Sequence, residues 1–416
     1  MRDVPSTSRS RLVPATALTA TLVLILGGVS AASAHRRDGS GDRARAQNVI
    51  LFIGDGMGVS HRTAGSLATV GLDGELVMDG LRHSGLLTTD PADPEALVTD
   101  SAAAGTALAT GVRTYNGAIG VDAGGRPVQT VVERAEAAGL STGLVTTGEV
   151  TDATTAAFGA HVPDRGRQTE IARQFIEETG VDVLLGGGED FWYPPADPGR
   201  IPGGAGRSDQ GDLVRRAEEL GYEYVSDRAG LARARGGKLL GLFDNGTMFV
   251  AAPEPAGTND RRVSLAEMTR TAIEVLSRDD DGFLLVVEEE AVDGQAHANN
   301  AAATIEAVRL LDEAVAVGAR FADRRDDTLV IATADHETGG MAIADTGDGT
   351  GSSPSADGPF AVAGSDLRFV VDWTTLGHTG ADVPVTASGP GAERLSGHRA
   401  NTFVHRVVVE TLFGVR

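Results

Sequence analysis

The chain has 416 residues, no cysteine, 55 glycines and 41% hydrophobic residues, enough apolar material for one large α/β domain or two medium ones. Its formal net charge of −22 makes nucleic acid and anionic membranes unfavourable partners, because such a surface repels both. The same charge would repel an anionic substrate, so any anion site in this chain needs local positive charge from arginine or from bound metal.

The first 34 residues have the three parts of a secretory signal peptide. Three arginines precede a mainly apolar run over residues 18–29, and Ala32-Ser33-Ala34 provides a small-residue cleavage site. The run is shorter than the roughly 20 residues that span a bilayer, which disfavours a membrane anchor. We therefore predict cleavage after Ala34, a flexible leader over residues 35–47, and a secreted protein without membrane attachment.

The next strong feature is the apolar run from Asn48 to Ile53, which has the composition of a buried parallel strand. It ends at Gly54-Asp55-Gly56, where glycines permit a sharp turn and leave the carboxylate at the carboxyl end of the strand. Open α/β sheets bind their ligands at that end. A plain glycine-rich turn is the alternative interpretation.

The segment from Val98 to Thr106 contains one hydroxyl, Ser101, that follows the carboxylate of Asp100. Small residues from Ala102 to Ala109 predict a helix with Ser101 at its N-terminus, where backbone N–H groups and the helix dipole stabilise negative charge. Ser101 could therefore carry a negative oxygen or a phosphoryl group. The alternative is that Ser101 is an ordinary N-cap.

A predicted strand over residues 141–147 leads into Asp152 and Thr154, an oxygen-ligand pair suited to a hard cation such as magnesium. Arg165 follows in the same segment, and its planar fork can hold a phosphate. A surface salt bridge is the alternative role for Arg165.

Two further apolar runs, over residues 283–288 and 328–333, also end beside polar side chains. The first ends in Glu288 and is followed by Asp293 and His297, four residues apart, which one helical turn would point the same way. That spacing suits zinc, and a helical salt bridge is the alternative. The second is followed by Asp335 and His336, a stronger metal signal, and a glycine-flanked histidine, His378, comes later.

Strands and helices alternate along the chain, which predicts an α/β fold with a doubly wound, mainly parallel central sheet and helices on both faces. We predict a single catalytic domain over residues 48–416 with a loop-rich insertion at residues 345–366, near the C-terminal third. Residues 84–89, 189–211 and 251–261 are predicted loops. One predicted helix begins near residue 59, and the others span residues 129–138, 169–179, 212–220, 264–277, 301–322 and 399–412.

Together these segments resemble the alkaline phosphatase family, in the order in which the family has them, from residue 48 to about residue 390. The matching pieces are Ile53–Gly58, Val98–Ala103, Asp152–Thr154 with Arg165, Glu288 with Asp293 and His297, Thr333–His336, and His378–Gly380. The resemblance implies a nucleophilic Ser101, a phosphate clamp at Arg165, and Asp100 as the residue that steadies this arginine.

The resemblance also implies two zinc ions and one magnesium ion. The implied sites are a zinc on Asp293, His297 and His378, a second zinc on Asp55, Asp335 and His336 next to Ser101, and a magnesium on Asp55, Thr154 and Glu288, with Asp152 nearby through water. The implied activity is that of a secreted phosphomonoesterase that forms a phosphoserine at Ser101 and acts on small phosphorylated substrates. Members of the family are commonly dimeric, so a homodimer is an expectation here.

The chain departs from the family at Gly294, where members often carry a lysine or histidine that helps to hold phosphate. Glycine cannot do this, so we predict weaker inhibition by phosphate.

Two other functions are compatible with parts of this pattern. A phosphodiesterase or sulfatase-like hydrolase of the same superfamily often uses threonine or a modified cysteine, whereas this chain offers serine, has no cysteine and carries Arg165 and the implied magnesium ligands. A non-catalytic exported protein that binds phosphate or metal would lack the nucleophile or a ligand, and none is missing here.

Overall fold

The computed structural model describes residues 45–248, 263–346 and 356–414. The predicted signal peptide, its cleavage site and most of the predicted leader lie outside these residues, as does the predicted loop over residues 251–261. Among the described residues, no helix combines the length and the apolar character needed to cross a bilayer.

Strands and helices largely alternate up to residue 322, as the sequence predicts, whereas the described residues between 328 and 400 form strands with no α-helix between them. The strands are β1 (Asn48–Gly54), β2 (His83–Thr88), β3 (Ser141–Glu149), β4 (Val183–Gly187), β5 (Tyr222–Val225), β6 (Lys238–Leu242), β7 (Phe283–Glu289), β8 (Thr328–Thr333), β9 (Glu337–Thr338), β10 (Ala342–Asp345), β11 (Asp357–Ala361), β12 (Arg368–Asp372), β13 (His378–Thr379), β14 (Val383–Ser388) and β15 (Gly397–Ala400). The α-helices are α1 (Val59–Thr69), α2 (Ser101–Thr110), α3 (Val131–Ala137), α4 (Ala153–Gly159), α5 (Gln168–Gln174), α6 (Leu213–Glu219), α7 (Arg228–Arg233), α8 (Leu265–Leu276), α9 (Ala291–His297), α10 (Ala301–Ala322) and α11 (Thr402–Phe413).

Within the described residues, ten strands form the central sheet in the order β15-β2-β14-β8-β1-β7-β3-β4-β6-β5. Strand β14 runs antiparallel to both of its neighbours, and the other adjacent pairs are parallel. The α/β class with a mainly parallel sheet is therefore confirmed. Every residue of β1, β7 and β8 is buried, which explains why their sequences are almost continuously apolar.

The register of the three central strands determines where the site lies. Ile53 of β1 pairs with Glu288 of β7 on one side and with Thr333 of β8 on the other. Asp55 and Asp335 each follow two residues after these positions. Because the strands are parallel, the three carboxylates reach the same edge of the sheet.

Helices cover the sheet. Ser264 caps α8 in a capping box with Glu267. The predicted helix over residues 301–322 coincides with α10, which packs against α8, α9 and α1. Helix α2, which begins with Ser101, packs against α4 and α11. These contacts hold the helix in place.

The structure differs from the sequence-based prediction in several places. Residues 83–88 form strand β2 rather than a loop, and β14 and β15 were not predicted, so that α11 begins at Thr402 instead of residue 399. A search for apolar segments misses these strands because β2 has one buried residue, β14 is interrupted by a proline and polar residues, and β15 has only four residues. Part of the predicted insertion at residues 345–366 is strand β11, which pairs with β12 in a small antiparallel sheet that also contains β10. Phe369 and Val371 of this small sheet belong to a separate apolar cluster with Ala64.

Candidate active site

Ser101 is the first residue of helix α2, and it is buried, with 3% of its surface exposed. Asp100, not Ser101, is the N-cap, because its Oδ1 accepts a hydrogen bond from the Ala103 amide at 2.9 Å. Ser101 Oγ is thus free of the capping role and lies 3.2 Å from Nε2 of His336. The structure therefore excludes the simple N-cap alternative and places the hydroxyl beside a residue of another predicted motif.

Asp100 also connects Ser101 to the predicted phosphate clamp. Its Oδ2 accepts hydrogen bonds from the Gly117 amide at 2.9 Å and from Nη1 of Arg165 at 3.3 Å. Nη2 of Arg165 donates to Asp152 Oδ1 at 3.0 Å. Burial disfavours the charge on this arginine, but Asp152 and then Asp100 outweigh it and raise its pKa above the ordinary value. Arg165 is therefore a charged fork, one-third exposed, between two residues that the sequence singled out.

Asp55, Asp335 and His336 form the first group that could hold a cation, with one donor atom of each within 4.8 Å of the others. His336 Nε2 lies 3.4 Å from Asp55 Oδ1 and 3.2 Å from Asp335 Oδ2. All three residues are buried. Asp55 Oδ1 and Asp335 Oδ2 receive no hydrogen bond from any described residue. Buried carboxylate oxygens without donors are costly, and a bound cation would satisfy them.

Asp293, His297 and His378 meet in the second group. His297 Nε2 is 3.2 Å from Asp293 Oδ2, His378 Nε2 is 3.5 Å from Asp293 Oδ1, and the two Nε2 atoms are 3.1 Å apart. Nδ1 of His297 donates to the Leu376 carbonyl at 2.5 Å, and Nδ1 of His378 donates to the Thr99 carbonyl at 2.9 Å. Both rings thus turn Nε2 toward one carboxylate, the arrangement of zinc-ligating histidines with outer hydrogen bonds.

The two groups adjoin each other through stacked histidine rings. His336 stacks on His378 with 3.6 Å between ring centroids, and Asp293, His336 and His378 also have donor atoms within 4.8 Å. The predicted helical ion pair of Asp293 with His297 exists, but His378 joins it from far along the chain. A local salt bridge therefore does not account for the whole arrangement.

Glu288, Thr154 and Asp152 provide the oxygen atoms of the third predicted site. Glu288 and Thr154 are buried, and the hydroxyl of Thr154 lies beside Glu288 without forming a hydrogen bond of normal geometry with any described residue. Burial raises the pKa of Glu288 to about 8, and the charges of Asp152 and Asp335 add to the effect. Oxygen donors of this kind suit magnesium.

The electrostatic balance of the site also favours bound cations. Burial raises the pKa of Asp55 well above its ordinary value, and repulsion from Asp335, Asp293 and Glu288 raises it further. Asp293 differs, because its hydrogen bond to His297 and the nearby histidine charges outweigh its burial and lower its pKa. The site brings together carboxylates, some with oxygens that accept no hydrogen bond from the described residues, and imidazole nitrogens. These are the donor atoms that zinc and magnesium prefer.

Three residues at the site were not found from the sequence. The Thr338 hydroxyl donates to Asp293 Oδ1 and lies 3.3 Å from His336 Nδ1. Glu337 is buried beside it. Glu290 has its carboxylate oxygen 3.5 Å from the point where a Cβ on Gly294 would lie. Their position next to the predicted ligands was the available signal, but residue type alone gave no reason to select them.

His161 lies outside the groups of candidate ligands, and its contacts indicate a structural role. Its Nδ1 donates to the Gly120 carbonyl at 2.6 Å, and its Nε2 lies 2.9 Å from Glu133 Oε1. Val162, the next residue, bridges to Ile119. His161 therefore helps to hold the loop that contains Gly117, which in turn contacts Asp100.

Comparison with known proteins gives a consistent result. Residues 46–358 match the family model described as alkaline phosphatase. Alkaline phosphatase 4 of Bacillus subtilis (strain 168) is 31% identical over 97% of this chain and 97% of its own length. Streptomycin-6-phosphate phosphatase of Streptomyces griseus is 35% identical over 95% of this chain and 96% of its own length. Alkaline phosphatase of Escherichia coli (strain K12) is 35% identical over 88% of this chain and 85% of its own length.

Solved structures show the same similarity. Alkaline phosphatase from the Antarctic bacterium TAB5 superposes with a TM-score of 0.76 at 28% identity, over 89% of this chain and 100% of that one. A His-to-Asp mutant of the TAB5 enzyme, solved with magnesium in its M3 site, is 29% identical and superposes with a TM-score of 0.73, over 89% of this chain and 98% of that one. The similarity therefore extends over most of the chain.

Proposed function

This chain belongs to the alkaline phosphatase family of hydrolases, and we propose that it cleaves phosphate monoesters through a phosphoserine at Ser101. The observation that carries this proposal is the Ser101 hydroxyl, which lies at the start of helix α2 and 3.2 Å from His336, within the buried group of orphaned carboxylate oxygens. A capping role does not explain this position of Ser101, because Asp100 already caps the helix.

The reaction divides into two displacements at phosphorus. In the first, the Ser101 Oγ–P bond forms while the bond from phosphorus to the alcohol oxygen breaks, and the serine proton ends on the departing alcohol. In the second, water attacks the phosphoserine, which releases inorganic phosphate and returns the proton to Ser101. The N-terminus of α2 favours the negative charge that accumulates at Ser101 in both steps.

The residues present fit the metal ions that the family implies. Asp293, His297 and His378 would hold one zinc, Asp55, Asp335 and His336 a second, and Asp55, Thr154 and Glu288 a magnesium, with Asp152 beside it. Bound there, these ions would lower the pKa of the serine hydroxyl and of water and would offset the charge of the phosphoryl oxygens. The protein's part is to hold the donor atoms close together; the residues are buried or half-buried except His297, which is exposed.

The direct test of this function compares two substrates on the purified protein at alkaline pH with zinc and magnesium present. We expect rapid hydrolysis of 4-nitrophenyl phosphate, slow hydrolysis of bis(4-nitrophenyl) phosphate, and loss of both activities after chelation. A preference for the diester would instead indicate the phosphodiesterase branch of the superfamily. Metal-loaded protein that turns over neither substrate would support a binding protein.

We expect Arg165→Ala to lower kcat/KM for the monoester by about 100-fold while it changes diester hydrolysis much less. A monoester has three non-bridging phosphoryl oxygens, so two remain for the guanidinium fork when one contacts a cation. A diester has two, so only one would remain. Arg167→Ala is the matched control, because Arg167 is exposed and lies two residues further on. Equal losses on both substrates would mean that Arg165 supports the fold of the site and does not bind phosphate.

We expect Gly294→Lys to strengthen inhibition by phosphate about fivefold, the equivalent of about 1 kcal/mol for a partly exposed charge interaction. The position is in helix α9, and a Cβ there would be only in ordinary contact with Glu290, so the side chain can be accommodated. Gly294→Gln is the control of similar length without charge.

The Glu290 carboxylate is the first group that a lysine at residue 294 would meet, so it would compete with phosphate for the lysine charge. The strengthening of phosphate inhibition should therefore be larger when Glu290→Gln is added. The inhibition constant of inorganic phosphate is the measurement. If the inhibition constant is unchanged both in Gly294→Lys and in Gly294→Lys combined with Glu290→Gln, the lack of a lysine at residue 294 does not govern phosphate binding.

We also propose that the protein is exported and acts outside the cytoplasm on small phosphorylated molecules. The sequence pattern of residues 1–34 supports export, and the net charge of −22 disfavours nucleic acid as a substrate. Protein recovered from the culture medium should begin at His35, which its intact mass would reveal. We propose a homodimer from the family alone, and sedimentation of the purified protein would test it.

A further inference from the structure

We propose that Glu337 is a positioning residue that locks together the two histidine-bearing segments of the active site. This inference rests on the proposed function, because it concerns the same metal-binding groups. Glu337 follows His336 directly, is 5% exposed, and has no part in the chemistry described above. Buried carboxylates need compensation, so its partners show what it does.

The carboxylate of Glu337 accepts three hydrogen bonds. Two come from backbone amides of the following turn, Gly340 at 3.2 Å and Met341 at 3.1 Å. The third comes from the hydroxyl of Thr379, the residue next to His378. One side chain thus ties the segment of His336 to the segment of His378.

The local backbone gives a reason why such a tie is needed. Strands β9 and β13 have two residues each, and they pair His378 with Thr338 and Thr379 with Glu337. So short an antiparallel pair contributes little stability by itself. The turn after β9 also contains Gly339 and Gly340 at φ +84° and +57°, conformations that cost side-chain-bearing residues energy. Backbone hydrogen bonds join Gly339 to Thr374, Thr375 and Gly377 on the N-terminal side of His378. On its C-terminal side, the bond from the Thr379 hydroxyl to Glu337 is the side-chain contribution to the register of the two strands.

Glu337 also packs against the turn that carries Asp55. A Cβ on Gly58 would lie 2.3 Å from Glu337 Cγ, so only glycine permits this close approach. The next contact is His61, whose Nδ1 accepts the Gly58 amide at 3.2 Å and lies 3.8 Å from Glu337 Oε1. Because His61 Nδ1 is an acceptor and burial lowers the pKa of this ring to about 4, His61 is neutral and gives Glu337 no counter-charge. The hydrogen bonds from the amides and from Thr379 are therefore the compensation for the carboxylate.

The consequence concerns the position of the His378 ring. Its Nε2 lies 3.5 Å from Asp293, and its other nitrogen is held by the Thr99 carbonyl. If Thr379 were released, the backbone at His378 would keep its pairing with Thr338 and the bond of Gly377 to Gly339 but would lose the side-chain bond that follows it. The donor atoms of Asp293, His297 and His378 would then be less well aligned for a zinc ion. Loss of an outer-shell partner of this kind typically costs 10–100-fold in metal affinity.

The test uses Glu337→Ala with Glu189→Ala as its matched control. Glu189 is equally buried, with 1% exposure, and it accepts hydrogen bonds from two backbone amides, those of Arg200 and Ile201, and from the hydroxyl of Tyr224. None of its recorded partners among the described residues is a proposed metal ligand. The two variants therefore lose the same type of interaction at different places.

The main readout is the rate at which zinc passes from the loaded protein to a fluorescent chelator. We expect Glu337→Ala to release one zinc ion per chain about 10–100-fold faster than wild type, and Glu189→Ala to release zinc at the wild-type rate. Glu337→Gln retains an acceptor oxygen and should recover part of the loss. Thr379→Val removes only the hydroxyl and covers the case in which Glu337→Ala does not fold.

A double-mutant cycle separates positioning from simple destabilisation. If Glu337 acts through Thr379, the effects of Glu337→Ala and Thr379→Val on zinc release should be clearly less than additive. Additive effects, or zinc release from the Glu337 variants at the rate of the Glu189 control, would overturn the inference. Failure of the proposed function would be visible separately, because wild type itself would then show no zinc-dependent monoester hydrolysis.

Discussion

Replacing Ser101 with alanine is expected to reduce turnover of 4-nitrophenyl phosphate by about 10³-fold or more, because the variant has no oxygen that can form the phosphoserine. The substitution should leave the fold intact. Three alanines follow Ser101 in the helix, alanine is the best helix former, and the N-cap acceptor is Asp100. Loss of activity with an unchanged melting temperature and metal content is therefore the expected result.

Ser264 provides the matched comparison, because it is also a serine at the start of a helix. It caps α8 through the Glu267 amide and has no contact with the proposed ligands among the described residues. Ser264→Ala should lower the free energy of unfolding by about 1 kcal/mol and leave turnover unchanged. Acid-quenched samples should contain a phosphorylated wild-type chain and no phosphorylated Ser101→Ala chain. Substantial turnover in Ser101→Ala would mean that water attacks the substrate directly.

The central part of the fold could be predicted because its strands are buried on both faces. The run over residues 328–333 coincides with β8, and those at β1 and β7 agree within one residue, since a strand covered on both sides is apolar along its whole length. Strand β2 could not be recognised in this way. It pairs with the antiparallel β14 and with the edge strand β15, and only part of it is buried, so its sequence has no continuous apolar run.

Much of the site could also be predicted, because each carboxylate follows a strand whose end is easy to locate. The pairing of side chains from distant segments was beyond such an argument. Nothing in the sequence shows that Asp100 both caps α2 and binds Arg165, or that the ring of His336 stacks on that of His378. Glu337 is a further case, because its role depends on a hydroxyl that lies 42 residues later in the chain.

Asp55→Asn is expected to reduce turnover by at least about 100-fold, because the substitution removes charge from two proposed metal sites at once. The carboxylate lies 3.4 Å from His336 Nε2 and is close enough to Asp335 and Glu288 for their charges to raise its pKa. Asparagine has nearly the same shape, so packing should be preserved. Zinc and magnesium bound per chain should both fall, as measured by elemental analysis after dialysis.

The same substitution should have the opposite effect on the protein without metal. In that state the Asp55 charge is buried among other carboxylates, and burial and repulsion both oppose it, so its removal should raise the melting temperature. Metal-loaded wild type should nevertheless be more stable than metal-loaded Asp55→Asn, since ions that bind only the folded state stabilise it by mass action. Asp312→Asn is the control, because Asp312 accepts the amides of Val77 and Met78 away from the site. An Asp55→Asn variant that kept full metal content and turnover would show that Asp55 does not join the two sites. If the variant is more stable than wild type without metal and less stable with metal, the charge of Asp55 is tolerated in the fold because cations bind there.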